Sequence, residues 1–428
     1  MQRIEIHPAK HLQGEVTVAG DKSISHRGII LGAIANGMTR LEGFLDGADC
    51  RSTISCFTNL GVPITQNGTT VTIHGKGLRG LAAPEKTLDV GNSGTTMRLV
   101  SGVLSAMSFS SILTGDVSLC KRPMERIMAP LRAMGGDISS MHHNGCAPLQ
   151  IQGRVLHGTT WKTPVASAQV KSCILLAGLY ADTPTTVIEP VLSRDHTERM
   201  LKGFGASITT EGTTATVNPG REMQGQSIRI PGDISSASYF LAAAATVPNS
   251  EVILHHVNIN PTRSGILDVL RDMGADFELM NMTMESGEEA CDIVIRTSAL
   301  HGTTIGGALI PRLIDELPVI AVMAAFAKGE TIIRDAAELK VKESDRIALI
   351  TQNLKKMGAD VEATNDGMII HGGPTLHGTR IHTAGDHRIA MSFAVAGLVA
   401  DGSTSFDDPD CVGVSFPGFW QILKTLAR

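Results

Sequence analysis

Apolar and polar positions along this chain follow one rhythm, repeated six times. Each copy opens with an apolar residue, any residue and glycine: Leu12-Gln-Gly14, Leu78-Arg-Gly80, Leu156-His-Gly158, Met223-Gln-Gly225, Leu300-His-Gly302 and Leu376-His-Gly378. A short extended stretch follows, then a polar turn, then a helical segment that is apolar almost all round, as in Ser238 to Val247 and Ile389 to Ala400. Such a helix is buried on most sides. Five copies continue into an amphipathic helix, such as Asp345 to Met357 with Ile347, Ile350 and Leu354 on one face. They close on a glycine phrase: Leu60-Gly61, Met134-Gly135, Phe204-Gly205, Met273-Gly274 and Met357-Gly358. The sixth stops early, at Leu423 to Arg428, as a terminal repeat does. Short alternating runs such as Val71-Thr-Ile73, Ile228-Arg-Ile230 and Ile293-Val-Ile295 read as strands. The pattern predicts an α/β protein of βαβαββ-like repeats, with buried helices and outer sheets.

At 428 residues the chain exceeds one ordinary core, so the repeats divide most simply as three and three. The matching joints Ala19-Gly20-Asp21 and Pro231-Gly232-Asp233 place one domain at residues 21–232 and the other at 1–20 plus 233–428. A hinge near 20–21 and 231–233, crossed twice by the chain, then permits rigid-body closure. The start, Met1-Gln-Arg-Ile-Glu-Ile-His-Pro8, reads as an alternating strand rather than a signal sequence. Apolar runs such as Leu317 to Ala327 fall short of the roughly 18 residues of a membrane span. Seven scattered cysteines with no Cys-x-x-Cys pair read as reduced thiols. A soluble cytoplasmic protein is expected.

Net charge of −5 and 4% aromatic content argue against a general polyanion binder, and leave local basic clusters to be explained. Helix N-termini attract anions. The turn Asp21-Lys22-Ser23-Ile24-Ser25-His26-Arg27 places an ammonium, hydroxyls and a guanidinium at one; alone it could equally be a capped helix with solvated charges. Gly91-Asn-Ser-Gly94-Thr-Thr-Met-Arg98 repeats the theme, with Gly94 admitting a ligand close to the backbone. Gly20-Asp21, Gly91-Asn92 and Gly385-Asp386 each read as a flexible glycine before an N-cap. In Val341-Lys342-Glu343-Ser344-Asp345-Arg346, helical spacing puts Lys342 and Arg346 on one face, with Glu343 three residues before Arg346. A surface ion-pair ladder is the competing account. Asp315-Glu316 precedes an apolar helix in the same repeat. Two carboxylates among several cations suit proton transfer on an anionic substrate.

Asp21 to Arg27, Gly91 to Arg98, Lys121-Arg122-Pro-Met124, Val341 to Arg346 and Asp386-His-Arg388, in that order, resemble the signatures of the bacterial 5-enolpyruvylshikimate-3-phosphate synthases. The resemblance covers essentially the whole chain and includes Ser167-Ala168-Gln169 and Ser193 to Glu198. It implies two domains of the inside-out α/β barrel type found in enolpyruvyl transferases. It implies transfer of the carboxyvinyl group of phosphoenolpyruvate to the 5-hydroxyl of shikimate 3-phosphate, by addition and elimination, with release of phosphate. Neither metal nor cofactor is implied; glyphosate is expected to compete for the phosphoenolpyruvate site, and a monomer is the family default. By the same resemblance Ser23, Arg27, Ser167, Ala168, Gln169 and Arg194 hold shikimate 3-phosphate, with Lys342 and Asp315 near its ring hydroxyls. Lys22, Gly94, Arg122, Arg346 and Arg388 hold phosphoenolpyruvate. Asp315 is the implied base on the 5-hydroxyl, and Glu343 with Lys22 the proton relay to the methylene carbon.

One position departs from the pattern: Val414 stands where many members carry a lysine, which removes one cation. His387, beside Arg388, reads as structural rather than as a proton carrier. The sister transferase acting on UDP-N-acetylglucosamine is the first alternative. Its loop cysteine, five residues before an Arg-Pro step, is replaced here by Val117, and Cys120 is out of place. A repeat-built protein binding nucleic-acid ends is the second. The low aromatic content and net negative charge disfavour it.

Overall fold

A computed structural model describes residues 4–427. Met1, Gln2 and Arg3, within the predicted first strand, lie outside the described residues, and β1 is Glu5–Ile6. The first repeat runs β2 Gln13–Val16, α1 Lys22–Ile34, β3 Asn36–Glu42, α2 Ala48–Asn59, β4 Ile64–Asn67, β5 Thr70–Lys76. The second runs β6 Leu88–Asp89, α3 Gly94–Leu104, β7 Ser110–Thr114, α4 Glu125–Ala133, β8 Asp137–Ser140, β9 Leu149–Gln152. The third runs β10 Thr160–Lys162, α5 Ala168–Gly178, β11 Thr185–Ile188, α6 His196–Gly203, β12 Ser207–Glu211, β13 Thr214–Asn218. The fourth runs β14 Ser227–Arg229, α7 Ile234–Thr246, β15 Glu251–Asn258, α8 Gly265–Asp272, β16 Asp276–Glu285, β17 Glu288–Arg296.

The fifth repeat adds a short helix: β18 Thr304–Ile305, α9 Ile310–Leu313, α10 Leu317–Phe326, β19 Gly329–Ile333, α11 Arg346–Lys356, β20 Asp360–Ala363, β21 Met368–Gly372. The sixth has β22 Arg380–Ile381, α12 His387–Val399, β23 Thr404–Phe406 and α13 Phe419–Leu426, without the final pair of strands. In place of that pair, β1 lies antiparallel on β23, covering its edge. The glycine phrase stops the second helix in all five longer copies. Gly61, Gly135, Gly205, Gly274 and Gly358 sit at φ 83°, 88°, 91°, 80° and 94°, just past the last helical turn. Only glycine takes that left-handed conformation without strain.

Three sheets are built within single repeats, in the orders β6-β7-β9-β8, β10-β11-β13-β12 and β18-β19-β21-β20. In each the first strand pairs parallel with the second, across the buried helix, and the last two add antiparallel. The first and fourth repeats depart from this plan by exchanging their opening strands. β14 pairs parallel with β3, and β2 pairs parallel with β15. Both are short edge strands whose partner is set by a parallel ladder, which any suitably placed chain segment can satisfy.

The chain divides into two compact units. One holds residues 20–230 and 285–288; the other holds the chain up to Ala19, Pro231–Met284 and the chain from Glu289 onward. Two crossings were expected, but the tip of the β16–β17 hairpin groups with residues 20–230. These are the ten- and nine-residue strands of a sheet whose first member, β2, has only four. The hairpin therefore outruns its sheet. At its tip His196 Nδ1 lies 2.8 Å from Glu288 Oε1, both buried, and Arg199 donates to the Gly287 carbonyl at 2.9 Å.

Within residues 20–230 the central helices are α1, α3 and α5; in the other unit α7, α10 and α12 pack together. Their burial matches their sequences: Ile234 through Ala245 of α7 and Leu317 through Ala325 of α10 are all buried. No helix among the described residues is long and apolar enough to cross a membrane. All seven cysteines are free, and burial pushes the thiols of Cys56, Cys173, Cys291 and Cys411 up to about 12.

Candidate functional site

Nine of the predicted residues belong to residues 20–230, at or beside the N-termini of α1, α3 and α5. Asp21 caps α1, accepting from Ile24 N at 2.9 Å. Gly20 is not needed for a left-handed turn, unlike Gly91 (φ 56°) and Gly385 (φ 71°). A Cβ there would stand 1.8 Å from the Gly43 carbonyl oxygen, so close packing demands the glycine. Lys22 opens the helix, with its ammonium ion-paired to Asp49.

Ser23 follows, half-buried, and its carbonyl accepts from Arg27 Nη1 at 3.0 Å. Arg27 also donates from Nε to Thr197 Oγ1 at 2.6 Å and from Nη2 to Ser172 Oγ at 2.9 Å. Of its five N–H groups, three make these bonds and two have none among the described residues. Burial lowers its pKa to about 10, against the pull of Glu198 and Asp21. Arg194 stands near enough to add to that lowering.

At the second turn the cap is one residue later than expected. Ser93, not Asn92, accepts from Thr96 N at 3.1 Å. Asn92 instead holds Arg122, whose Nη2 donates to Asn92 Oδ1 at 2.6 Å and whose Nη1 reaches the Asn92 carbonyl at 3.3 Å. A Cβ on Gly94 would lie 3.0 Å from Arg98 Nη1 and 3.4 Å from Arg122 Nη1. Two guanidiniums thus flank this helix start. Arg98 in turn donates to Gln169 Oε1, and Gln169 Nε2 donates to Thr95 Oγ1 at 3.0 Å. Beneath them a buried chain of hydrogen bonds, each 2.7 Å, runs from His26 Nδ1 through Thr53 and Thr96 to Ser93. Burial, then Lys22 and Arg27, hold the His26 imidazole well below its ordinary pKa, so the chain is uncharged.

Ser167 caps α5 and Ala168 begins it. Behind them lies a cluster whose pairing the sequence did not reveal, although Glu198 closes the Ser193 to Glu198 phrase. Lys171 Nζ, 1% exposed, sits 2.8 Å from Glu189 Oε2 and 2.7 Å from Glu198 Oε1. Burial lowers the ammonium pKa, but Glu198 and Glu189 outweigh it and raise it overall. Glu189 also accepts from Ser167 N at 3.0 Å and from Ser193 N and Oγ at 3.2 and 2.9 Å. One carboxylate therefore ties the Ser167 turn to the loop carrying Arg194.

The other unit holds Asp315, Lys342, Glu343, Arg346 and Arg388. Lys342 and Glu343 do not lie on a helix face as expected. A 3-10 turn covers Ala337–Val341, and α11 begins only at Arg346, where Asp345 caps it by accepting from Ala348 N at 3.0 Å. An aspartate at this position stops the helix from extending backwards. The bend still brings the groups together. Asp315 Oδ1 lies 3.9 Å from Lys342 Nζ and 3.6 Å from Arg346 Nη1, and its Oδ2 lies 3.6 Å from Arg388 Nη2.

Arg346 is wholly buried and donates to Asp386 and, at 2.5 Å, to Glu343 Oε2. Burial works against its charge, but Asp386 and Glu343 raise its pKa above the ordinary value. Its Nη1 makes no hydrogen bond among the described residues and points at the Asp315 carboxylate. Arg388 is likewise raised, by Asp315 against burial.

Glu316 behaves differently from its neighbour: fully buried, it accepts from Ser235 and lies 4.0 Å from Arg263. Arg263 also donates to Asp233 at 3.0 Å. The turn at Asp233, before α7, is thus occupied by Arg263 and Glu316. Val414 ends the 3-10 turn Pro409–Val414, and His387 is buried at the start of α12.

Residues 6–423 match the family described as EPSP synthase (3-phosphoshikimate 1-carboxyvinyltransferase). A 3-phosphoshikimate 1-carboxyvinyltransferase of Thermoanaerobacter sp. is 53% identical over 423 residues, covering 99% of this chain and 100% of that protein. One from Brevibacillus brevis is 51% identical over 425 residues, with the same coverage. A solved structure of EPSP synthase from Acinetobacter baumannii superposes with a TM-score of 0.90 at 46% identity, covering 100% of this chain and 98% of that one. Near-complete coverage at such identity settles the assignment: the chain belongs to the EPSP synthase family.

Proposed function

We propose that this protein transfers the carboxyvinyl group of phosphoenolpyruvate to the 5-hydroxyl of shikimate 3-phosphate, releasing phosphate, in the shikimate pathway to aromatic amino acids. The carrying observation is the cluster around Asp315: one carboxylate within 4 Å of three cationic side chains. Each substrate bears a carboxylate and a phosphate, which such cations match.

In the addition step Asp315 takes the proton of the 5-hydroxyl, whose oxygen attacks C2 of phosphoenolpyruvate. Glu343, with Lys22 in the relay, protonates the methylene carbon, giving a tetrahedral intermediate. In the elimination step Glu343, now a carboxylate, takes back a proton from the new methyl group as the C2–O bond to phosphate breaks. The product is an enol ether plus phosphate, so atoms and charge balance.

Lys22, Gly94, Arg122, Arg346 and Arg388 are assigned to phosphoenolpyruvate. Ser23, Arg27, Ser167, Ala168, Gln169 and Arg194 are assigned to shikimate 3-phosphate, with Lys342 and Asp315 at its ring hydroxyls. Arg122 and Arg346 are pre-set for this by Asn92 and Asp386, which fix each guanidinium before a ligand arrives. The repeats fit an inside-out α/β barrel in each domain, and the protein is read as a monomer of the cytoplasm. The test is phosphate release from phosphoenolpyruvate with each acceptor. Release with shikimate 3-phosphate alone supports the assignment; release with UDP-N-acetylglucosamine alone replaces it with the sister reaction.

A further inference from the structure

Residues 20–230 contain a concavity at the far ends of the helices that carry Lys22 and Ser167. Its volume is about 560 Å³, inside the range of about 300–1,000 Å³ usual for small-molecule sites. It is lined where α1 and α5 end, by Asn36, Tyr180 and Asp182, and by Lys76, Arg79 and Glu222 from the joints between repeats. Helix α1 has 13 residues, so its two ends lie about 20 Å apart, and the pocket is separate from the turns described above.

An unsatisfied hydroxyl belongs to its lining. Tyr180 as a whole residue is 7% exposed, and its hydroxyl has no hydrogen-bond partner among the described residues. Buried hydroxyls are rarely left so. Arg79 and Glu222 are the charges that bear on it, and burial raises the phenol well above its ordinary pKa.

The remaining polar groups sort by what they already hold. Asp182 is committed to His157 Nδ1 at 2.6 Å and to Gly158 N at 3.2 Å. Glu222 Oε2 accepts from Asn36 Nδ2 at 2.8 Å, and no described hydrogen bond uses its Oε1. The side chains of Lys76 and Arg79 make no hydrogen bond or ion pair among the described residues. The carbonyl ends of both helices are capped locally, Ala35 O by Gly77 N at 2.9 Å and Ala177 O by Tyr180 N at 3.1 Å. The lining therefore holds two cations, one uncommitted carboxylate oxygen and a buried hydroxyl, beside the negative ends of two helix dipoles. Two basic and two acidic side chains cancel, so a ligand of single charge is poorly matched. A molecule carrying both charges is matched at each end.

We propose that this pocket binds a small zwitterion of the α-amino-acid class, its carboxylate held by Lys76, Arg79 and the Tyr180 hydroxyl and its ammonium by Glu222. The chain has two tyrosines, Tyr180 and Tyr239, which makes the test direct. Full-length protein labelled with 3-fluorotyrosine gives two fluorine resonances, assigned with Tyr180→Phe. L-Glutamine, L-leucine and L-phenylalanine serve as polar, aliphatic and aromatic probes, with acetate and methylammonium as single-charge controls. At least one amino acid should shift the Tyr180 resonance saturably below about 10 mM, leaving Tyr239 in place. Lys76→Ala and Arg79→Ala, both at exposed positions, should each weaken that response about tenfold, as loss of a charged hydrogen bond does. Silence of the Tyr180 resonance with all three probes overturns the proposal. So does an equal response to acetate or methylammonium, or one unchanged in both alanine variants.

Discussion

Asp386 grips Arg346 with both of its oxygens, Oδ2 at 2.9 Å from Nε and Oδ1 at 3.2 Å from Nη2, and both residues are fully buried. Asp386 also caps α12, accepting from Arg388 N at 2.9 Å. A single carboxylate thus aims one arginine and starts the helix that carries another. Arg346, held flat, has Nη1 left to face Asp315.

Asp315 and Glu343 are the two carboxylates with proposed proton-transfer work. Removing a positioned acid or base costs about 100- to 10,000-fold in rate. Asp315→Ala and Glu343→Gln should each lose turnover in that range while staying folded. Deuterium entry from solvent into the methylene group should slow in Glu343→Gln together with turnover. Variants within a few-fold of the parent would reduce both residues to ion-pair partners.

Gly94→Ala tests the second turn. The added methyl would stand 3.0 Å from Arg98 Nη1 and 3.4 Å from Arg122 Nη1, pressing on two guanidiniums already held by Gln169 and Asn92. The Michaelis constant for phosphoenolpyruvate should rise much more than that for shikimate 3-phosphate, with glyphosate inhibition weakening in parallel. Equal effects on both substrates would mean a general disturbance of α3.

Lys171 and Glu189 should separate stability from positioning. Lys171→Met leaves two buried carboxylates facing each other, a loss on the order of 3–5 kcal/mol read from the urea midpoint. Glu189→Gln keeps a carbonyl acceptor and should stay folded. It should raise the Michaelis constant for shikimate 3-phosphate in preference to that for phosphoenolpyruvate, because it loosens Ser167 and Arg194 together. A shift confined to phosphoenolpyruvate would contradict that division.

Asp407 gives the protein an acid limb. It accepts from Thr383 N at 2.9 Å and Thr383 Oγ1 at 2.7 Å, in the turn before α12. Burial pushes its pKa up, but these bonds and His382 win and lower it from 3.8 to about 2. Its contribution is therefore complete above 3.8 and lost as pH falls towards about 2. Allowing for its exposure, Asp407→Asn should cost about 1 kcal/mol at neutral pH. The gap to the parent in chemical unfolding should close as pH drops from 4 towards 2; a constant gap would show that the carboxylate's charge plays no part.

The repeated phrase was enough to read the order of strands and helices, because each signal acts locally. A glycine past a helix end or an apolar helix surface has its effect within a turn or two of its own position. The polar turns and their residues were legible for the same reason, and their ordered set pointed to the family.

Other features depend on neighbours distant in the chain. The exchange of β2 and β14 between sheets is invisible locally, since a short parallel edge strand carries no mark of its partner. Ser93 displaced Asn92 as cap because Asn92 was drawn to Arg122, thirty residues on. Lys342 and Glu343 left the helix because Asp345 capped it, yet the bend still delivered them to Asp315 and Arg346. Lys171, Glu189 and Glu198 met in the interior with no local sign of their partnership, although Glu198 closes the Ser193 to Glu198 phrase, and burial made their charges interdependent. Local chemistry decided which elements form; the desolvation of charges brought together by packing decided which of them remain able to meet a ligand.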